Sequence, residues 1–522
     1  MFAIRSSPMA VSEIGERDPA MKARVPHDQA VSSADLTLGT RLAFGSGQIG
    51  ESVYNALFNT FIIIYYNQVI GLSNSLIGIA VMLALIGDAL TDPFVGVLSD
   101  RWKSRHGRRH PFLFVAPIPL AITIYAIFNP PDSLTTGSHQ LGLFAWLSVS
   151  TIASRAFLTL YQIPHLALGA ELTKDQFARS KLFSTNQIIG VFAGASVGFI
   201  AWSVFLAGDR VRASDGQLVP GQLDPAAYTP MILCACAAVV IAIWTCAATT
   251  YKHVPRLIKA QGTEENLSPL YFVKAVLSTF RNRNYVVLMV GFFFFMIASG
   301  IYDTLTMFIN TYFWELKPEQ IRWFGVTTGP MGAVGAIASP YLMRRFDRKP
   351  VVLGALAAMI LFAQLPVTSR LLDLMPANGS PLLLPLLLAN AGGFLFTIGV
   401  FGVAVLGMIG DIIDENEYVT GLRQEGLYYS ARAFFSKASN SIGHAFAGIL
   451  LDAYIRLPFE AVPGQLDSDV VTRLGIIAGP VMAGFALVSL LCYRKYSVRA
   501  AQHRKMITEI CARGARKGDA YD

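Results

Sequence analysis

Long apolar runs and short polar connections alternate along almost the whole chain. The runs fall at about 43–70, 75–99, 111–128, 141–170, 182–206, 229–250, 285–313, 320–343, 350–369, 381–410, 427–454 and 472–493. A helix needs roughly 20 apolar residues to cross a bilayer, and these runs are of that order or longer. Lipid offers no partner to a free peptide group, so single spanning runs fold as helices. The pattern predicts an all-α polytopic membrane protein with twelve transmembrane helices.

Polar residues inside the runs are not scattered. Helix one carries Gln48, Glu51, Ser52, Asn55 and Asn59. Helix four carries Arg155, Thr159 and Gln162, and helix seven Asp303, Thr306 and Asn310. Helix eleven carries Tyr429, Arg432, Ser436 and Asn440. Steps of three and four keep each set on one helical face. Such faces turn inward, toward partners or water. They can line a solute path, or they can serve helix–helix hydrogen bonds alone. Arg155 and Asp303 could equally form a structural ion pair. His165 and His444 read as packing or hydrogen-bonding residues.

Helix two holds the sharpest feature. Asp88 and Asp92 lie four residues apart within Leu83-Ala-Leu-Ile-Gly-Asp88-Ala-Leu-Thr-Asp92-Pro93, so both carboxylates share one face. A charge at mid-bilayer costs roughly 2.5–3.5 kcal/mol on insertion scales. Two like charges there repel unless a cation lies between them or one holds a proton. The pair predicts a cation site; a pair neutralised by Arg or Lys without an ion would look the same in sequence.

The charge distribution sets orientation. The net charge of +8 concentrates in alternate loops. Arg101, Lys103, Arg105, Arg108 and Arg109 follow helix two; Lys174, Arg179 and Lys181 follow helix four; Arg344, Arg345, Arg348 and Lys349 follow helix eight. Six basic residues lie in 251–284, while 129–140 has none. The positive-inside rule then puts both termini in the cytoplasm. The expected organisation is a disordered cytoplasmic tail at 1–40 and a six-helix bundle at 41–250. A cytoplasmic linker at 251–284, a second bundle at 285–493 and a basic tail at 494–522 follow. Residues 206–228 read as an external loop without clear structure. The first 40 residues lack the apolar core of a signal peptide, so the first helix is the expected targeting signal.

Other classes fit poorly. With 53% hydrophobic and 15% charged residues there is no nucleic-acid signature. The five cysteines show neither disulfide nor metal spacing. No phosphate-binding Gly-Lys-Ser/Thr loop suggests ATP-driven transport. The polar ends are too short for a signalling domain, and no catalytic set clusters.

An internal repeat points further. Gly96-Val-Leu-Ser-Asp100-Arg101 leads to Gly107-Arg-Arg-His-Pro111 after helix two, and Tyr341-Leu-Met-Arg-Arg-Phe-Asp347-Arg-Lys-Pro350 follows helix eight. A 6+6 parallel repeat is the layout of the major facilitator superfamily, with the substrate site near midplane between the halves. The run from Asp88 to Pro111, with Trp-Lys-Ser-Arg inserted, resembles the glycoside-pentoside-hexuronide:cation symporter family, which includes the melibiose permeases. Gly410-Asp411 through Glu425-Gly426 to Lys437, and Glu171-Leu-Thr-Lys-Asp175-Gln-Phe-Ala-Arg179, resemble it too.

The resemblance implies that Asp88 and Asp92 bind a coupling Na⁺ or H⁺, with Thr91 tuning ion choice and Thr159 nearby. It implies that Lys437 couples the ion site to the solute. Where galactoside-transporting members carry two acidic residues and an arginine for sugar hydroxyls, this chain has Ser52, Gln162 and Gln187. A melibiose-like substrate is therefore not expected. Helices one, four, seven and ten line the cavity in this superfamily, so the expected substrate set is Gln48, Glu51, Ser52, Asn55, Arg155, Gln162, Gln187, Asp303 and Arg432. Asp100, Arg101, Arg105, Arg179, Asp414 and Arg423 are expected at a cytoplasmic gate. The expected function is cation-coupled symport of a small solute, a sugar, glycoside or uronide, by alternating access. It would be carried out by a monomer in a bacterial-type inner membrane, with no cofactor beyond the coupling ion. The alternative is cation-coupled transport of a lysolipid or other amphiphile.

Overall fold

The computed structural model describes residues 36–102, 104–135, 139–173, 175–212, 216–256, 279–421, 424–498 and 502–510. Twelve long helices account for most of them. In the first half they are α1 (Leu38–Ile64), α2 (Asn74–Arg101), α3 (His110–Val115 continued by Pro117–Phe128), α4 (Gln140–Glu171), α5 (Gln176–Ile200) and α6 (Tyr228–Thr250). In the second they are α7 (Arg283–Phe308), α8 (Pro318–Phe346), α9 (Arg348–Leu371), α10 (Leu383–Thr420), α11 (Glu425–Leu450) and α12 (Ser468–Ile476 continued to Met482–Arg494). Each expected run is a helix, and α10 runs ten residues beyond its apolar run. The expected tail and linker lie largely outside the described residues.

Eight of these helices are long and apolar enough to cross a membrane on composition alone. The other four are α1, α2, α8 and α11. Three of them are diluted by the interior polar groups Glu51, Asp88, Asp92, Arg432 and Lys437, and α8 by Gly, Thr and Pro. Polar groups of the interior thus lower the apolarity of α1, α2 and α11.

Packing follows the repeat. In the first half α1 packs on α5 and α6, α4 on α2 and α3, and α3 on α6. In the second, α7 packs on α11 and α12, α10 on α8 and α9, and α9 on α12. Adding six to each helix number converts one set into the other. The joints between halves obey the same rule: α2 packs on α11, and α5 on α8. Even local distortions repeat. π-helical turns extend α1 (Tyr65–Val69), α5 (Ala201–Phe205), α7 (Ile309–Phe313) and α11 (Leu451–Ile455). No apolar period announces a π turn, so these were not legible in the sequence.

Small residues let the joints close. A Cβ at Gly78 of α2 would fall 2.8 Å from the His444 carbonyl oxygen and 2.9 Å from the Ala445 Cα. One at Gly448 of α11 would overlap the Asn74 carbonyl. Without a hydrophobic drive between helices in lipid, such backbone approach is what holds them.

The start of α1, the end of α12 and the described basic loops share one face of the bundle, the basic face. The opposite, far face is where the halves lock. α2 starts at Asn74, and its N-cap Ser73 supplies no capping hydrogen bond to the helix. Asp452 of α11 supplies it across the joint. Its carboxylate accepts from Ser73 Oγ (2.6 Å), Ser75 N (2.7 Å), Asn74 N (3.2 Å) and Asn74 Nδ2 (3.1 Å). A helix start has unpaired N–H groups and a positive dipole end, so a carboxylate there satisfies both. Beside it, Gln68 donates to the Pro458 carbonyl (3.1 Å), and its Oε1 accepts from Tyr312 (3.0 Å) and Ala461 N (2.9 Å).

One expectation is corrected here. Within 206–228, Asp209–Val211 (β1) and Leu218–Pro220 (β2) pair antiparallel as Asp209↔Pro220 and Val211↔Leu218. Two 3₁₀ turns follow, Gly221–Leu223 and Pro225–Ala227. Polarity concealed the hairpin, but buried Val219 and Leu223 anchor it, and Gly208 and Gly216 take the positive φ its ends require. It too joins the halves, through Lys317–Asp209 (3.1 Å) and Arg212 donating to the Glu460 carbonyl (3.0 Å).

Asp452→Ala removes the shared cap. In a chain otherwise free of reactive cysteines, a cysteine replacing the fully buried Leu72 should react several-fold faster with an impermeant maleimide when Asp452 is lost. An unchanged rate would show that the cap does not hold this face closed.

Candidate functional site

Asp88, one turn before Asp92 on α2, is buried. Their oxygens divide between two partners. Lys437 Nζ of α11 lies 2.8 Å from Asp88 Oδ2 and 2.5 Å from Asp92 Oδ2. Thr159 Oγ1 of α4 lies 2.7 Å from Asp88 Oδ1 and 3.0 Å from Asp92 Oδ1. The threonine has one proton to donate, so it serves one carboxylate at a time. Arg155, one turn before Thr159, places Nη1 3.5 Å from Asp88 Oδ2. Its guanidinium lies over Phe58, 4.4 Å from the ring centroid, and 5.6 Å from that of Tyr54.

Two carboxylates and two cations therefore meet where α2, α4 and α11 converge. Geometry dictates which residues take part. The i, i+4 steps 88/92 and 155/159 each present two groups to one side. Lys437 comes from the other half, so the cluster is also a mid-depth link between halves. Lys437 keeps 30% of its side chain exposed and Asp92 26%, against 5% for Asp88. The cluster is reachable from the interior on the Asp92 side. Thr91 is placed differently: its hydroxyl donates to its own helix's Asp88 carbonyl (3.2 Å).

A second polar chain lies on the first half. Gln162 donates to Glu51 (2.7 Å), and Asn186 of α5 donates to Gln48 (2.6 Å). Ser52 stands against Gly190, where a Cβ would lie 3.1 Å from its hydroxyl. Asn55 is half-buried on the same helix, and Gln187 is exposed beside buried Asn186. Asp303 of α7 has Asn440 of α11 as its polar neighbour. Arg432 lies over the Phe292 ring at 4.8 Å, among aromatic side chains of the second half. The expected solute residues thus fall into two groups, one on α1, α4 and α5 and one on α7 and α11, with the ion cluster between.

At the basic face, Arg109 pairs with Asp100 and with Glu171 (2.8 Å), and Arg108 with Glu171 (3.0 Å). In the second half Asp411 pairs with Arg348, and Asp414 with His503 (2.8 Å). Arg179 donates to the Thr173 carbonyl (3.1 Å). Arg101 is exposed, and Arg105 is bonded to His106 (3.0 Å). Arg423 lies outside the described residues. The ion pairs described on this face each join elements of one half, in contrast to the far face.

Sequence reasoning missed several groups. Asp452 and Gln68 lie at helix ends, where polarity is unremarkable; Ser73-Asn74-Ser75, a cap-like run opening α2, was the available signal. Phe58, the platform under Arg155, reads as one more apolar residue. His165 Nε2–H donates to the Phe44 carbonyl (3.0 Å) and the ring stacks on Phe44, the packing role expected of it.

Two pseudo-symmetric six-helix halves around a charged centre define a membrane transporter of the major facilitator fold. Comparison with known proteins gives the family. Residues 43–500 match the family model described as MFS/sugar transport protein. The chain belongs to this family, in its glycoside-pentoside-hexuronide:cation symporter branch, and is a solute transporter rather than an enzyme. A Bacillus subtilis protein named as an uncharacterized symporter is 24% identical, covering 91% of this chain and 95% of its own. A glucuronide carrier protein homolog of Escherichia coli is 23% identical over 91% and 96%. The isoprimeverose transporter of Lactiplantibacillus pentosus is 21% identical over 87% and 88%. Among solved structures, the nucleoside transporter NupG aligns with a TM-score of 0.59 at 13% identity, over 88% of this chain and 100% of its own. That likeness is one of fold.

Lys437→Ala leaves Asp92 without a described cationic partner. Breaking a buried ion pair on one side costs roughly 3–5 kcal/mol, and partial exposure puts this case at the lower end. The purified variant should melt several degrees below wild type and further below it than Thr159→Ala. Equal melting would show that the bridge contributes no stability.

Proposed function

We propose that the chain is a Na⁺- or H⁺-coupled symporter of a small solute, a sugar, glycoside or uronide, working by alternating access. The observation that carries this reading is the Asp88–Asp92 pair facing Thr159 on one side and Lys437 of the opposite half on the other. The names of its relatives, a glucuronide carrier and an isoprimeverose transporter among them, support the solute class.

The chemistry follows from what Lys437 does. Its ammonium occupies the position between the carboxylates that a small cation would take. With Lys437 withdrawn, four carboxylate oxygens and the Thr159 hydroxyl remain, an all-oxygen set suited to a hard cation. Protonation of one carboxyl would likewise remove the repulsion that holds the ammonium. Either ion competes with a cross-half link, so it changes the balance between arrangements of the halves. Solute bridging the α1–α4–α5 group and the α7–α11 group biases the same balance. Coupling needs no more than this reciprocal free energy. No resident cofactor and no covalent step is required.

Sidedness completes the reading. By the positive-inside rule the basic face is cytoplasmic, with both termini. The far-face locks at Asp452, Gln68 and the hairpin then close the outside. The protein would act as a monomer in a bacterial-type inner membrane. Within the run Phe292–Phe295, whose aromatic surface would suit an acyl chain, Phe292 and Phe295 are buried within the second half.

The test is thermal stabilisation of the purified protein by Na⁺ or acid against a panel of glycosides, pentosides, uronates and lysolipids. A glycoside, pentoside or uronate should raise the melting temperature only with the cation present, and Asp92→Asn should abolish the effect. If no cation shifts the wild-type curve and Asp92→Asn melts identically, the symport reading fails. Stabilisation by lysolipids alone would favour the amphiphile reading.

A further inference from the structure

Asp303 sits within α7, in the second half, and no basic side chain pairs with it among the described residues. Its surroundings differ from those of Asp88 and Asp92. It lines a cavity of about 160 Å³ between α7, α9, α10 and α12. α9, α10 and α12 present only apolar side chains there, Met359, Phe394 and Met482 among them. The other polar lining groups are Ser299 and Tyr302, both on α7. From α11, Asn440 is the polar neighbour of the carboxyl. Behind it His444 stands 3.1 Å from Asn440 Oδ1 and 2.8 Å from the Thr304 hydroxyl. Tyr302 and His444 are thus the titratable neighbours, and neither is bonded to the carboxyl.

Asp303 is half-buried, and an ionised carboxylate there, against an apolar wall with only Asn440 as polar neighbour from another helix, lacks the partners that charges inside a membrane ordinarily have. Asp88 and Asp92 show the contrast, with Lys437, Arg155 and Thr159 around them. A metal cation would need several further oxygens, and Ser299 and Tyr302 are the only hydroxyls lining the cavity. A proton needs only one carboxyl oxygen, which Asp303 presents to the cavity.

We propose that Asp303 is a proton-binding site of the second half, separate from the Asp88–Asp92–Lys437 cluster, loaded and emptied through the cavity beside α7. Protonated, it is a neutral group that the apolar wall tolerates. Ionised, it draws water or a donor toward the α7–α11 joint, where Asn440 and the close-packed Gly300 and Gly443 lie. A carrier with this arrangement responds to pH through a group that no ion pair shields. The inference stands apart from the symport reading, because it concerns the solute-free protein.

The test uses the full-length protein in lipid vesicles without solute. Infrared difference spectra between about pH 8 and about pH 5 follow the protonated carboxyl band, above the range where exposed carboxylates titrate. Wild type should gain this band as pH falls, with a shift in D₂O. Asp303→Asn should lose it, along with about one proton of uptake per molecule. Asp303→Glu should retain it at a displaced frequency, and Asp88→Asn should leave it in place. Because asparagine mimics the protonated acid, Asp303→Asn should melt like wild type at acid pH, which also reports folding. A band unchanged in Asp303→Asn, a band lost in Asp88→Asn instead, or no titrating band in wild type would overturn the proposal. An Asp92→Asn variant blind to cations while the Asp303 band persists supports both readings together; a cation-insensitive wild type with the band intact removes only the symport reading.

Discussion

Two carboxylates one helical turn apart in the middle of a membrane protein cannot stand alone, and much of the architecture follows from how they are satisfied. Asp88 and Asp92 need cations and donors, and the chain draws them from α4 and from the opposite half. Because Lys437 arrives from α11, the charge balance of the core depends on how the halves are set against each other. A group that only stabilised one bundle would have come from that bundle. The cost of burying charge is thereby tied to conformation, which is the requirement for an ion to influence which face is open.

The two-fold repeat supplies the mechanics. The main helix contacts of one half have counterparts six helices on, and the cross-half joints α2–α11 and α5–α8 exchange under the same operation. At the far face the α2–α11 joint carries backbone approach at Gly78 and Gly448 and the cap from Asp452. At mid-depth the same joint carries Lys437. At the basic face the described ion pairs stay within a half. One joint thus carries both the ion cluster and the far-face lock, so that a change at the cluster acts on the same pair of helices that the lock holds.

Much of this was legible in the sequence because its causes are local. Apolar length gave the helices, and three- and four-residue steps gave the polar faces. The Asp-Arg and Gly-Arg-Arg elements gave the repeat and the family. What was hidden depends on partners distant in sequence. Asp452 gains its meaning only beside Ser73, Phe58 only beneath Arg155, and Asn186 only against Gln48. The hairpin at 209–220 was masked because its strands are three residues each and its burial comes from the loop's docking on both halves. The π turns follow no hydrophobic period at all. Asp303 was visible as a polar residue on α7, yet its isolation from any cation could be read only once the walls of its cavity were in place.

The central claim is that a cation at the Asp88–Asp92 pair displaces Lys437 and so loosens the far-face closure. Spin labels on Ser133 and Phe459, exposed on the far face in opposite halves, report it directly by their distance distribution in vesicles. Replacing choline with Na⁺, or lowering pH, should move population to a longer distance in wild type, with no such movement once Asp88 and Asp92 are both asparagine. A distribution indifferent to either cation in wild type would contradict the account.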